Sequence, residues 1–205
     1  MNGMRAVCLG VTLLALLPIH VSAQDKACEA AGCGPPVLGN IFAGFRNDFF
    51  RPGQIFAPRF GGVLSEVQLG LATAQGADTT SVIIEIRTVQ AGFPTSVILG
   101  EAVASGGPFV SGNLYSGGFA GQNLVLDSGT QYAIVLRTTG GHAYILGRFP
   151  ACDPSTGSIN PVASHDGGST WTYIAGERSM VYQVCVDAVT PALRASWGKI
   201  KTLYR

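Results

Sequence analysis

Residues 164–171 read Ser-His-Asp-Gly-Gly-Ser-Thr-Trp, the densest set of groups in the chain that can do chemistry. The spacing fits a tight hairpin: a carboxylate at Asp166 accepts hydrogen bonds from turn N–H groups, glycine supplies positive φ, and Trp171 packs beneath the turn. Two residues on, Tyr173 falls on the same face of an extended segment as Trp171, about 6.5–7 Å away. Two rings at that spacing can stack on the CH-rich face of a pyranose. The competing use of the same rings is to plug the hairpin, which is where large aromatics usually end. Trp171, Tyr173, Tyr144 and Asp166 are the candidate ligand-binding residues, with Phe149 and Tyr115 behind them. For Phe49, Phe50, Phe56 and Phe60 a core position is expected.

Other chemistry is thinly supplied. His142 and His165 sit beside glycines without an acidic or cysteine partner at motif spacing, which reads as solvated loop histidine. Asp127, Asp153 and Asp166 offer carboxylates to Ca²⁺ at the edge of a sheet, but no D-x-D cluster exists and turns ordinarily use an Asp at such places. No cofactor is expected, with calcium the one ion these carboxylates could take; Cys28 and Cys33 are too widely spaced, without a nearby His, to suit zinc. There is no G-x-S-x-G elbow, H-E-x-x-H, phosphate-binding Walker loop or G-x-G-x-x-G. No catalytic residue and no metal ligand is assigned, and an enzyme is not expected. A glycoside hydrolase needs two carboxylates that only the fold could bring together.

The elements that would position these residues are strands. Val67, Leu69 and Leu71 alternate with Glu66 and Gln68, and over 82–87 Val82, Ile84 and Ile86 share one face, with Glu85 and Arg87 on the other. Period two with polar outer residues marks half-buried antiparallel strands. Residues 132–136, Tyr-Ala-Ile-Val-Leu, are apolar on both faces and predict a central strand. The last strand covers 180–186, with Cys185 on the face opposite Tyr182, Val184 and Val186. Turn clusters at 75–78, 91–94, 105–108, 127–130, 139–141 and 166–168 recur at a pitch that suits a sandwich or barrel. The expectation is an all-β, antiparallel two-sheet β-sandwich of jelly-roll type with eight or nine strands, its two inner faces about 10 Å apart.

The first two dozen residues address the chain. One positive charge at Arg5, an apolar run over 7–19 and small residues at Val21-Ser22-Ala23 read as a secretory signal peptide over 1–23. The run is too short to span a bilayer comfortably, so no integral membrane segment is expected after cleavage. An irregular, cysteine-containing lead-in is expected over 24–40, the sandwich over 41–188 and a basic amphipathic tail over 189–205. The expected location is extracellular or at the cell surface, with the periplasm as the alternative. The chain carries 13 Lys+Arg and 12 Asp+Glu; cleavage removes Arg5 alone, so the remainder balances. No basic face for nucleic acid follows. Cys8 leaves with the signal, and four cysteines in an oxidising compartment suggest two disulfides. Of three pairings, Cys28–Cys33 with Cys152–Cys185 is favoured.

The runs Gln54–Pro58 and Gly62–Leu69, with Ile84-Glu-Ile-Arg-Thr followed by Gly92-Phe-Pro, the stretch Leu126–Leu136 and Asp166–Trp171, resemble bacterial extracellular jelly-roll modules. Such modules are similar to carbohydrate-binding β-sandwiches and to choice-of-anchor domains. The likeness covers roughly residues 41–187 and rests on turn-and-strand patterns, so it implies a fold and no site residue. Ser164–Trp171 fits S-x-D-x-G-x-x-W and resembles a single Asp-box of the kind sialidases repeat, where the motif is structural. The tail over 191–205 groups Arg194, Lys199, Lys201 and Arg205 with a Trp197/Ile200/Tyr204 stripe and offers itself to a docking partner. The function expected is a secreted, non-catalytic binding module for a glycan or cell-surface polymer. The alternatives are a structural or assembly subunit of an extracellular layer docked through its tail, and a secreted glycoside hydrolase.

Overall fold

The structure, a computed structural model, describes residues 26–30, 40–45, 49–72, 81–104, 109–110, 113–138, 143–148, 158–174 and 179–188. Period-two apolar runs and Gly-rich turns resolve there into strands only, with no helix. In chain order they are β1 (Lys26–Ala30), β2 (Asn40–Phe45), β3 (Arg51–Phe56), β4 (Gly62–Ala72), β5 (Val82–Gln90), β6 (Phe93–Ala104), β7 (Leu114–Gly118) and β8 (Val125–Leu126). There follow β9 (Tyr132–Thr138), β10 (Ala143–Arg148), β11 (Ser158–Ser164), β12 (Thr172–Tyr173), β13 (Ser179–Met180) and β14 (Tyr182–Ala188). They form two antiparallel sheets. One has six strands in the order β12-β11-β3-β9-β5-β6. The other has eight: β1-β14-β4-β10-β13, with β2 on β10 and β7 and β8 on β4. The strands exceed the eight or nine expected because several short segments, such as β8, β12 and β13, carry too little periodic pattern to be seen in the sequence.

The inner faces meet as the alternation dictates. Leu64, Val67, Leu69 and Leu71 of β4 and Tyr182, Val184 and Val186 of β14 face Val82, Ile84 and Ile86 of β5 and Tyr132, Ile134 and Leu136 of β9. Between Leu64 and Val67 the alternation skips a beat, since the register slips where Glu66 pairs Cys185 and Leu64 pairs Val186. A bulge takes up the extra residue: Ser65 donates through Oγ to the Cys185 carbonyl at 3.1 Å, and its own carbonyl accepts from Phe119 N at 2.8 Å. Strand β9 lies between β3 and β5 with Ala133 and Val135 buried on its second face, which explains its two-sided apolar sequence.

Three expectations need correction. The lead-in contains a strand: β1 pairs with β14 over its whole length, from Lys26 opposite Asp187 to Ala30 opposite Gln183. Lys-Ala-Cys-Glu-Ala has no β-branched residue and its two charged residues, Lys26 and Glu29, fall on opposite faces, so its extended form comes from the partner strand and not from its own propensity. The disulfide is Cys28–Cys185, not Cys28–Cys33 with Cys152–Cys185. The β1–β14 register sets these two residues directly opposite, Cα atoms 4.0 Å apart. The bond spans 157 positions and takes about 5 kcal/mol of closure entropy from the unfolded chain in the chain-entropy model. Cys33 and Cys152 lie outside the described residues, as do the signal and the tail. Phe49 and Phe60, finally, are exposed, at 67% and 54%, because they fall in the bends flanking β3 and not in its alternating register. Phe56 is core, and Phe50 packs against it in part.

Strand β1 is also tied by charge. Lys26 Nζ donates to Glu66 Oε2, and Gln68 Nε2 donates to Glu66 Oε1 at 3.0 Å. Hydrogen bonds from Lys26, Ser116 and Gln68 lower the Glu66 carboxyl from 4.5 to about 2. A carboxyl that is more acidic folded than unfolded stabilises the fold fully above pH 4.5 and loses that contribution as pH falls toward 2. Urea midpoints measured from pH 5 down to pH 2.5 are expected to fall more steeply in the native chain than in Glu66→Gln; parallel curves would contradict the assignment.

Candidate functional site

Three of the four candidate residues, Trp171, Tyr173 and Asp166, meet at the outer face of the six-stranded sheet. Register places Val162, Gly53, Val135, Glu85 and Glu101 in one row across β11, β3, β9, β5 and β6. Glu85 is 1% exposed, and a carboxylate so placed must be paired. Its Oε1 accepts from Arg137 Nε at 2.7 Å and lies 3.6 Å from Arg51 Nη1. Its Oε2 accepts from Arg87 Nε at 2.7 Å and stands 2.5 Å from Arg87 Nη2. Arg87 Nη1 donates to the Thr95 carbonyl at 3.1 Å, and Arg137 Nη2 to Glu101 Oε1 at 3.2 Å. Burial works against the Arg137 charge, but its bonds to Glu85 and Glu101 outweigh that and raise its pKa.

Beside this network the outer face carries a second small core of Ile55, Ala133, Val135 and Val162, joined by Val89, Phe93 and Trp171. Trp171 can lie on the sheet because Gly53 has no side chain. A Cβ there would meet Val162 Cγ2 at 3.0 Å, the Ile134 carbonyl at 3.2 Å and Trp171 Cζ3 at 3.5 Å. The Arg87 guanidinium carbon stands 5.9 Å from the indole centroid, within cation–π range. The indole Nε1 is buried and has no hydrogen-bond partner.

The hairpin above Trp171 satisfies itself. Asp166 Oδ1 accepts from Ser164 Oγ at 2.7 Å, Thr170 N at 2.8 Å and Ser169 N at 3.0 Å, and Oδ2 accepts from Thr170 Oγ1 at 2.6 Å. Ser164 Oγ in turn accepts from Gly168 N at 2.7 Å. The Thr170 hydroxyl, the Thr170 N–H and the Ser164 hydroxyl hold the Asp166 carboxyl well below the usual carboxylate range. Gly168, at φ 93°, rests on the arginines: a Cβ there would be 3.3 Å from Arg87 Nη1 and 3.6 Å from Arg51 Cδ.

Tyr173 comes next along the chain. It pairs with Val162, so its ring shares the outer face with Trp171. Although β12 and β6 are opposite ends of the sheet order, the β11–β12 hairpin folds across the face until Tyr173 reaches the β5–β6 turn. Tyr173 Oη donates to the Gly92 carbonyl at 3.2 Å, and its ring lies 4.5 Å from Phe93, tilted 37°. The turn has two central residues, Ala91 and Gly92, at φ 51° and 81°, the pattern a two-residue hairpin with right-handed twist requires. Tyr173 remains 49% exposed.

The structure therefore brings Trp171, Tyr173 and Asp166 together. Tyr144 lies in β10 of the other sheet, paired with Ala72 and Gly44; its side chain is outside the described residues. Phe149, His142 and Asp153 are also outside them. Tyr115 caps the Val110 N–H and packs edge-on against Phe109 at 4.7 Å. His165 is exposed, its ring 4.9 Å from Phe50. Among the described residues no group of three or more His, Cys, Asp or Glu side chains gathers to hold a metal ion. Sequence reading missed Glu85, Arg87, Arg51, Arg137 and Glu101. The signal was there in part: Glu85 and Arg87 lie two apart on the outward face of β5, a spacing that sets opposite charges side by side. No protein-family model matches this chain, and no curated protein matches it.

Two outcomes test this construction. Glu85→Gln leaves guanidiniums buried against a neutral amide and is expected to cost about 3–5 kcal/mol in a urea titration; a loss within error of zero would mean the network is solvated. Asp166→Ala removes the acceptor that gathers Ser164, Ser169 and Thr170. In a Trp197→Phe background, Trp171 emission should shift to the red while the far-ultraviolet β signal stays; unchanged emission would show that the hairpin holds without its carboxylate.

Proposed function

We propose that this chain is a secreted, non-catalytic binding module of jelly-roll type, whose ligand is a glycan or cell-surface polymer held at the Tyr173–Phe93 end of the outer sheet face. The observation that carries this reading is the Tyr173 ring. It is half in solvent, backed by Phe93 and fixed at its far end by the hydrogen bond to Gly92. A stacking surface for a sugar needs that combination of exposure and rigidity, because ordering a mobile ring on binding costs affinity. Trp171 serves the site from beneath, as the floor on which the hairpin rests. The Asp-box-like hairpin is then a structural support in the binding edge.

Catalysis has less support. Both oxygens of Glu85 are occupied by guanidinium donors, and Asp166 is occupied within its own turn. Neither is left to act on a glycosidic bond. Nucleic acid is disfavoured as partner for a related reason: Arg87 and Arg137 are engaged with Glu85, Glu101 and the Thr95 carbonyl and not offered to phosphates. The assembly-subunit reading draws support from β1, an edge strand held on β14 by a disulfide; its docking peptide over 191–205 lies outside the described residues.

Affinity electrophoresis through a panel of bacterial and plant polysaccharides tests the reading. At least one polymer should retard the native protein, Tyr173→Ala should weaken that retention about tenfold or more, and thermal unfolding of the variant should be nearly unchanged. Retardation equal in native and Tyr173→Ala protein would remove the site, and no retardation by any polymer would remove the ligand class.

A further inference from the structure

Strand β1 is held by little packing. It is an edge strand with β14 as its one neighbour among the described residues. Of the side chains described in it, Ala27 alone packs against the core, and only in part. Each residue ordered on an edge gives up conformational entropy comparable to what one ladder hydrogen bond returns, so a strand with so little apolar burial is close to balance. Three bonds beyond the ladder tip it: the ion pair Lys26–Glu66, the contact of Glu29 with Arg59, and the Cys28–Cys185 disulfide. The two ionic contacts are partly exposed, and each leaves its partner free to separate. The covalent bond decides.

Cys28 and Cys185 are unequal partners. Cys185 is buried, whereas Cys28 is exposed, so an incoming thiolate has access to the Cys28 side of the bond. β1 is also the first strand among the described residues. It can leave β14 without drawing any other strand after it, and the sequence that follows, Ala-Gly-Cys-Gly-Pro-Pro over 31–36, contains no periodic element.

We propose that the Cys28–Cys185 bond is a redox latch on β1, and that its reduction opens the β14 edge to β1 of a second copy of this chain. A dithiol supplies two electrons and two protons: one thiolate attacks Cys28 Sγ, Cys185 leaves as thiolate and takes a proton, and the second thiol closes the reductant into its own disulfide, freeing Cys28. Reoxidation by a small disulfide such as oxidised glutathione reverses the balance and yields two reduced thiols. The occupant is a second copy because the edge is already matched to that strand. Cys28 opposite Cys185, Lys26 reaching Glu66 on β4, and Glu29 meeting Arg59 are all remade unchanged when β1 arrives from a neighbour. Such an exchange links one copy to another, which suits the assembly-subunit reading; it goes beyond the glycan site and does not depend on it.

Hydrogen exchange and isotope mixing test the proposal on the mature full-length protein. After dithiol treatment without denaturant, amides of 26–30 should exchange about tenfold faster or more, while β5 and β9 keep their protection. Unchanged protection at 26–30, or loss of protection throughout the domain, would overturn the latch. For the exchange, nitrogen-15-labelled and unlabelled protein are reduced, mixed and reoxidised, then digested. A Cys28–Cys185 cross-linked peptide with one heavy and one light half is expected, rising with protein concentration and absent when reduction is omitted. Peptides that are wholly heavy or wholly light would overturn the second-copy occupant.

Discussion

The carboxylate of Glu85 is the constraint around which the outer face is arranged. Strand alternation leaves it no choice: with Ile84 and Ile86 committed to the core between the sheets, Glu85 must lie on the opposite face. That face is covered, not wet. A buried carboxylate is tolerable only with several donors in good geometry, and Arg87 and Arg137, with Arg51 near, supply them. Arg87 in turn is fixed by the same bonds, so its guanidinium lies where Trp171 can rest against it and where Gly168 can come close. The hairpin has no large apolar surface of its own beyond Trp171. Its position follows from what the Glu85 network and Gly53 leave open.

The two aromatic residues two apart thus part in role. Trp171 fills the hollow over Gly53 and completes a small core; removing it would expose Ile55, Ala133, Val135 and Val162 together. Tyr173 completes nothing of that size. It is held by one hydrogen bond and one ring contact, both at the β5–β6 turn, and half its surface is left in water. Gly92 is required there twice over: its φ is 81°, and a Cβ would run into the Tyr173 hydroxyl. A residue positioned with that much local constraint and so little burial is unusual for packing alone, which is why the proposed binding surface rests on the tyrosine, with the tryptophan as packing beneath it.

What the sequence made legible follows the strength of its local signals. The faces of β4, β5, β9 and β14 are those that period two dictates, and the two-sided apolar run of β9 sits in the middle of a sheet covered on both sides. The hydrogen bonds within Ser164–Trp171 follow from residue types at fixed offsets, so a local motif could reveal them. Illegible were features fixed by long-range register. Cys28 meets Cys185 because β1 docks beside β14, and nothing within Lys26–Ala30 announces a strand. Glu85 looked like an ordinary outward polar residue because burial of its face depends on a hairpin some eighty positions later. Phe49 and Phe60 looked like core because hydrophobicity alone does not say where a strand begins.

The edges of the two sheets show different solutions to one hazard, the unpaired row of N–H and C=O groups that invites another strand. On β6 the Glu101 carbonyl accepts from Gln122 Nε2 at 2.6 Å, so part of that edge is closed by a side chain from the segment after β7. On the opposite margin β12 is only two residues long and folds over the sheet face, where its tyrosine anchors it. The β14 edge of the eight-stranded sheet has neither device. It is closed by the five-residue β1, which is joined to it by a covalent bond. A side-chain cap or a short edge closes a sheet permanently; a strand held by a reducible bond closes it conditionally, and the condition is set by the redox state outside the molecule. Together with the small apolar burial of β1, that difference in chemistry is what makes the β14 edge the one proposed to open.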